Sequence, residues 1–125
     1  MRKLSSKNHE NELVINANCG MAYTLNLIGG RWKPSILYQL LLTGAMRYNQ
    51  LKKSLPNISE RILSLQLKEL ERDGLISKII FQEVPSKVEY QLTSKGFSMK
   101  PLLQLLSDWG DSNRPKKVTM PNAVG

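Results

Sequence analysis

The stretch Ser59-Glu-Arg-Ile-Leu-Ser-Leu-Gln-Leu-Lys-Glu-Leu-Glu-Arg-Asp-Gly74 decides the reading of this chain. Leu63, Leu67 and Leu70 recur at i, i+4 and i+7, the spacing that lines one face of a helix. Ser59 can cap its start by accepting a backbone N–H, and Gly74 leaves a helix cheaply after Asp73. With the leucines inward, the outer face carries Glu60, Arg61, Ser64, Leu65 and Lys68.

Downstream the period changes. Leu75 to Phe81 and Val88 to Leu92 are rich in β-branched and aromatic residues, and Glu83-Val-Pro-Ser-Lys87 joins them, which predicts an antiparallel hairpin with Lys87 at its tip. Thr93 can cap a last helix running through Trp109 and carrying Phe97, Leu102, Leu105, Leu106 and Trp109. Upstream, Asn49 can cap a short helix with Leu51 and Leu55 inward and Lys52 and Lys53 outward, and Pro56-Asn57 marks the turn after it. Pro34 suits the first turn of a helix to Leu42 that Thr43-Gly44 closes, and Met21 to Ile28 forms another, with Leu25 and Ile28 on one face and Gly29-Gly30 at its end. Residues 1–18 read as a polar N-terminal arm, 19–111 as one domain and 112–125 as a loose basic tail. The fold class is mainly α with a small antiparallel β hairpin: a winged helix-turn-helix with flanking dimerisation helices.

At 125 residues the chain is long enough for a single domain. Eighteen Lys and Arg against ten Asp and Glu leave a net charge of +8, which attracts a polyanion without choosing between nucleic acid and an anionic membrane surface. No apolar run reaches the ~18–20 residues of a membrane span. The polar stretch from Ser5 to Glu12 is unlike a signal peptide, so a cytoplasmic protein is expected. Cys19 has no partner for an intramolecular disulfide, and His9 is the only histidine, so neither a metal site nor a cofactor is expected. There is no Gly-rich phosphate loop, no Cys/His pair and no set-apart carboxylate pair, which argues against an enzyme.

A helix that follows a tight turn and precedes a hairpin is placed to enter the major groove of double-stranded DNA. Arg61 can give guanine two hydrogen bonds, Ser64 can serve several bases, and Leu65 can meet a thymine methyl. Lys68, one turn on, suits a phosphate. Asn49 and Ser59, at the starts of the two helices, complete the DNA-facing set, the free N–H groups after Asn49 offering a second phosphate contact. Lys87 can reach the adjacent minor groove or backbone. The same face is compatible with an ordinary solvated surface, or with a winged helix that grips a protein instead. Cys19 reads either as an inert small hydrophobe or as a reactive thiol just before a helix. Tyr23, Trp32 and Tyr38 read as core or as the lining of a ligand pocket. The Arg114-Pro-Lys-Lys117 tail reads as solvated or as tracking phosphates.

Gly29-Gly-Arg-Trp-Lys-Pro-Ser-Ile-Leu37, Arg47-Tyr48, Ile58-Ser-Glu-Arg-Ile-Leu63 and Asp73-Gly-Leu-Ile76, followed by the hairpin, Gly96 and Trp109-Gly110, together resemble the HxlR-type regulators, a subgroup of the MarR-like winged-helix transcription factors. The likeness spans about Cys19 to Gly110 and rests on order and spacing, since no single motif is specific. It implies a bacterial DNA-binding regulator, more often a repressor than an activator, that dimerises through terminal helices on a palindromic operator. Some members answer electrophiles or oxidants through a cysteine near the N-terminus, where Cys19 falls. Gly20 follows that cysteine where the family usually has proline, and Leu65 stands where it often has a polar residue. The expected dimer uses Leu102, Leu105, Leu106 and Trp109 with the first helix or the arm, setting two recognition helices about 34 Å apart.

Overall fold

Ser59 caps as its chemistry requires: its Oγ accepts the Ile62 N–H at 3.1 Å, and the helix it opens runs Glu60–Arg72. In a computed structural model, which describes residues 19–115, this is the fourth of six helices around one hairpin. In order they are α1 (Gly20–Ile28), α2 (Lys33–Thr43), α3 (Tyr48–Ser54), α4 (Glu60–Arg72), β1 (Ile76–Phe81), β2 (Lys87–Leu92), α5 (Ser94–Phe97) and α6 (Lys100–Asn113). Leu63, Leu67 and Leu70 of α4 are buried, and they meet Ile36, Leu37 and Leu40 of α2, Leu51 of α3 and Leu103 of α6 in one core.

The α3–α4 turn is held from several sides. Asn57 takes a positive φ of 73°, Leu55 and Ile58 point into the core, and Lys52 Nζ donates to the Ile58 carbonyl at 3.2 Å. At the far end of α4, Gly74 adopts φ 77°, which few other residues tolerate. The Leu75 N–H turns back to the Leu70 carbonyl at 3.0 Å. That bond spends the Leu75 N–H on the helix end, so only the Leu75 carbonyl, which accepts the Thr93 N–H at 3.1 Å, continues the ladder, and β1 starts at Ile76 rather than at Leu75.

The hairpin pairs Ile76 with Leu92 through to Phe81 with Lys87. Lys87 is therefore the first residue of β2 and not the tip, which is formed by residues 82–86. Met46 exchanges two backbone hydrogen bonds with Tyr90, at 2.9 and 2.8 Å, adding a third, one-residue strand that ties the entry to α3 onto the hairpin.

Three further expectations shift. Asn49 does not cap α3: Arg47 is the N-cap residue, its N–H donating to Gln50 Oε1 at 2.8 Å, and Asn49 lies exposed within the first turn. Leu25 is exposed while Ile28 is buried, because α1 touches the core only through its C-terminal end. The single last helix is broken into α5 and α6. Thr93 does cap, accepting the Gly96 N–H at 3.1 Å, but Pro101 has no N–H to offer the preceding turn, and the axis is reset at Ser98 and Met99. The restart puts Leu103 in the core, leaves Leu102 half-buried, and turns Leu105, Leu106 and Trp109 outward. The predicted arm of residues 1–18 and most of the predicted tail lie outside the described residues.

Candidate nucleic-acid interface

Arg61, Ser64, Leu65 and Lys68 all emerge on the side of α4 opposite its buried leucines. Leu65 is 43% exposed, so it is not core. Neither Arg61 nor Lys68 forms a hydrogen bond or an ion pair with another described residue. The three buried leucines fix the rotation of the helix about its axis, and this fixes which side chains face outward.

Tyr48, which sequence reasoning did not single out, joins α3 to this face. Its hydroxyl donates to the Glu60 carbonyl at 3.1 Å and lies 3.3 Å from Ser64 Oγ. Its sequence signal is its place in the Arg47-Tyr48 pair that contributes to the family resemblance. Behind α4, Lys33 and Glu69 form a 2.6 Å ion pair with the lysine buried. A lysine in an apolar helix start gives no warning that it will be buried.

Around α4 the cations divide into free and engaged. On α3, Asn49, Lys52 and Lys53 border a shallow polar depression of about 340 Å³. Lys52 is committed to the Ile58 carbonyl, which leaves Lys53 to reach outward. Lys87 is also committed: Nζ is 3.4 Å from Glu89 Oε2 and 4.6 Å from the centre of the Phe81 ring. The exposed lysine of the hairpin is Lys78, on β1. Ser59 uses one lone pair of its Oγ to accept the Ile62 N–H, which holds the start of α4 in place.

Leu105, Leu106 and Trp109 line one stripe of α6, with Trp109 71% exposed. Met21 and Leu25 of α1 are exposed as well. Between α2 and α6 lies an open groove of about 250 Å³ bordered by Pro34, Ser35, Tyr38, Leu103, Leu106 and Ser107. Tyr38 and Trp32 both pack against the core, and Arg31 lies 4.4 Å over the Trp32 ring. Tyr23 is partly exposed, under Lys95, whose Nζ donates to the Tyr23 hydroxyl at 3.4 Å and to the Asp73 carbonyl at 3.2 Å.

Cys19 is the exposed N-cap residue of α1, its side chain making no capping bond and its carbonyl accepting the Tyr23 N–H at 3.0 Å. Among the described residues no group of three or more His, Cys, Asp or Glu is gathered to hold a metal, and no helix is long and apolar enough to cross a membrane.

Comparison with known proteins agrees with this geometry. The family model of HxlR-like helix-turn-helix proteins matches residues 27–118. The HTH-type transcriptional regulator YybR of Bacillus subtilis is 42% identical over 96 residues, 77% of this chain and 76% of YybR. Among solved structures, the redox regulator HypR in its oxidized form superposes with a TM-score of 0.74 at 40% identity, covering 78% of this chain and 99% of that one. The reduced form of the transcriptional regulator YodB from B. subtilis superposes with a TM-score of 0.65 at 29% identity, covering 80% and 97%. The winged helix-turn-helix, the unencumbered outer face of α4 and these matches agree: this chain belongs to the HxlR-like helix-turn-helix family of transcriptional regulators, a non-enzymatic, DNA-binding class.

Proposed function

We propose that the protein acts as a homodimeric repressor that reads a palindromic operator with α4 and its symmetry mate. The observation that carries this reading is the outer face of α4, where Arg61 and Lys68 have no partner among the described residues and flank Ser64 and Leu65. Arg61 and Ser64, nearer the N-terminal end, suit base edges, Leu65 suits a thymine methyl, and Lys68 and Lys53 suit phosphates. The exposed stripe of Leu105, Leu106 and Trp109, with Met21 and Leu25 of α1 also apolar and uncovered, supports a second copy as partner. Leu102 backs this stripe from its half-buried position. Binding across a promoter then represses by occlusion.

The test is a mobility-shift titration on the DNA upstream of the protein's own coding region at two salt concentrations. A specific complex whose affinity falls steeply with salt is expected. Binding without sequence preference overturns the operator reading and favours a winged helix that grips a protein.

A second reading concerns Cys19. Its exposure at the start of α1 and the likeness to the redox regulator HypR support an oxidant- or electrophile-responsive thiol. Two Cys19 thiols, one from each subunit, would pass two electrons and two protons to an oxidant such as diamide and form one S–S bond. The resulting shift between subunits would misplace the two α4 helices. Wild type and Cys19→Ser are compared with and without diamide. If both release DNA equally, Cys19 is not the switch.

A further inference from the structure

We propose that Tyr48 sets the hydrogen-bond polarity of Ser64, so that Ser64 offers DNA only acceptor lone pairs and selects an amino-bearing base, adenine or cytosine. The proposal rests on the reading of α4 as the DNA-reading helix and names what one position of that helix recognises.

The Tyr48 hydroxyl lies 3.1 Å from the Glu60 carbonyl oxygen and 3.3 Å from Ser64 Oγ. A carbonyl has no proton to give, so the tyrosine must donate there, and a phenol has only one proton. The tyrosine oxygen therefore meets Ser64 with a lone pair, and the serine hydroxyl must donate to it. The single proton of Ser64 is then spent inside the protein. What remains for the groove is two lone pairs.

The position of Tyr48 holds this arrangement in place. It opens α3, and its ring packs partly buried against the core, so its hydroxyl does not swing freely. Ser64 itself is exposed on the outer face of α4. In the major groove, adenine N6 and cytosine N4 donate, whereas guanine N7 and O6 and thymine O4 accept. An acceptor-only serine is satisfied by the first pair and faces unpaired lone pairs with the second. Arg61, one turn earlier on the same face, carries donors only and has the opposite preference. Tyr48 thus turns a side chain that elsewhere serves any base into one half of a two-letter discrimination. It is a positioning residue, and Ser64 is the group that touches the base.

The experiment selects bound duplexes from a pool of randomised DNA with the full-length wild type, Ser64→Ala and Tyr48→Phe. Comparison of wild type with Ser64→Ala identifies the position that Ser64 reads. Wild type is expected to favour an amino-bearing base there by about tenfold. Replacing that base by its analogue without the amino group should cost wild type about fivefold and Ser64→Ala nothing. Tyr48→Phe frees the serine proton. It should bind the favoured site within about twofold of wild type while its preference at that one position falls to about twofold. A merely structural role for Tyr48 would weaken all sites alike.

A preference for a keto base at that position, an analogue that costs both proteins the same, or a Tyr48→Phe profile identical to wild type would each overturn the proposal. A selected site unchanged by Ser64→Ala overturns it while leaving α4 as the reading helix. A pool that yields no selected site overturns that reading, and the proposal with it. Should Tyr48→Phe prove unfolded by circular dichroism, the analogue comparison between wild type and Ser64→Ala decides.

Discussion

Lys33 Nζ lies 2.6 Å from Glu69 Oε1, an ion pair that joins the first turn of α2 to the last turn of α4 behind its outer face. The lysine side chain is only 9% exposed and the glutamate 30%. A pair of this kind adds little net stability over apolar packing, but removing one partner strands the other charge. Glu69→Ala should therefore cost about 2 kcal/mol, less than a fully buried pair because the glutamate reaches water. Lys33→Met with Glu69→Met should restore most of the loss. Urea denaturation of wild type, Glu69→Ala and the double methionine variant measures it. A Glu69→Ala variant as stable as wild type would show that the pair is not a constraint on α4.

On the outer face of the same helix, Arg61→Ala should lose about 1–3 kcal/mol of operator affinity and relax preference at one base pair. Lys68→Ala should weaken binding to all sequences alike and reduce the salt slope by about one. Fluorescence anisotropy over a salt series separates the two. Lys87→Ala should change DNA affinity less than Lys78→Ala, since Lys87 is held by Glu89 and Phe81.

The α6 stripe makes an assembly prediction. Trp109→Glu with Leu105→Glu should shift the protein from dimer to monomer in sedimentation velocity and abolish cooperative operator binding, leaving helix content unchanged. Both side chains are exposed in the single chain, so the fold should tolerate the charges.

Gly96 is buried directly against the Leu75 carbonyl, with Leu92 Cδ2 3.1 Å from where a Cβ would lie. Gly96→Ala must push α5 away from the start of the wing. A loss of about 2 kcal/mol is expected, read as a lowered urea midpoint. An unchanged midpoint would mean that α5 shifts freely.

Tyr90 supplies a pH dependence. Burial first, then the Glu71 carboxylate and Tyr48, raise its phenol above the usual value of 10.0. The folded state resists its ionisation, so this contribution is fully present below about pH 10 and is lost as pH climbs through the raised folded value. Stability measured from pH 9 to 11.5 should fall less steeply in Tyr90→Phe than in wild type. Equal slopes would remove Tyr90 as the cause.

Much of this protein was legible from local pattern. The repeat of Leu63, Leu67 and Leu70 determined both the helix and its outward face, and Ser59, Gly74 and Thr93 marked boundaries because caps depend on neighbours a few residues away. Net charge and the order of helices and hairpin were enough to suggest a nucleic-acid partner. What the sequence could not settle depended on contacts between distant segments. The burial of Lys33 needed Glu69, and the bond between Ser64 and Tyr48 needed the turn that folds α3 against α4. Lys87 looked like a hairpin tip until strand register paired it with Phe81. Pro101 lies at the break before α6, but that Leu103 goes in while Leu105 and Trp109 stay out depends on how α6 packs against α2. Periodicity gives a helix its two faces. Only packing between elements decides which polar groups meet, and so which are left free to read DNA.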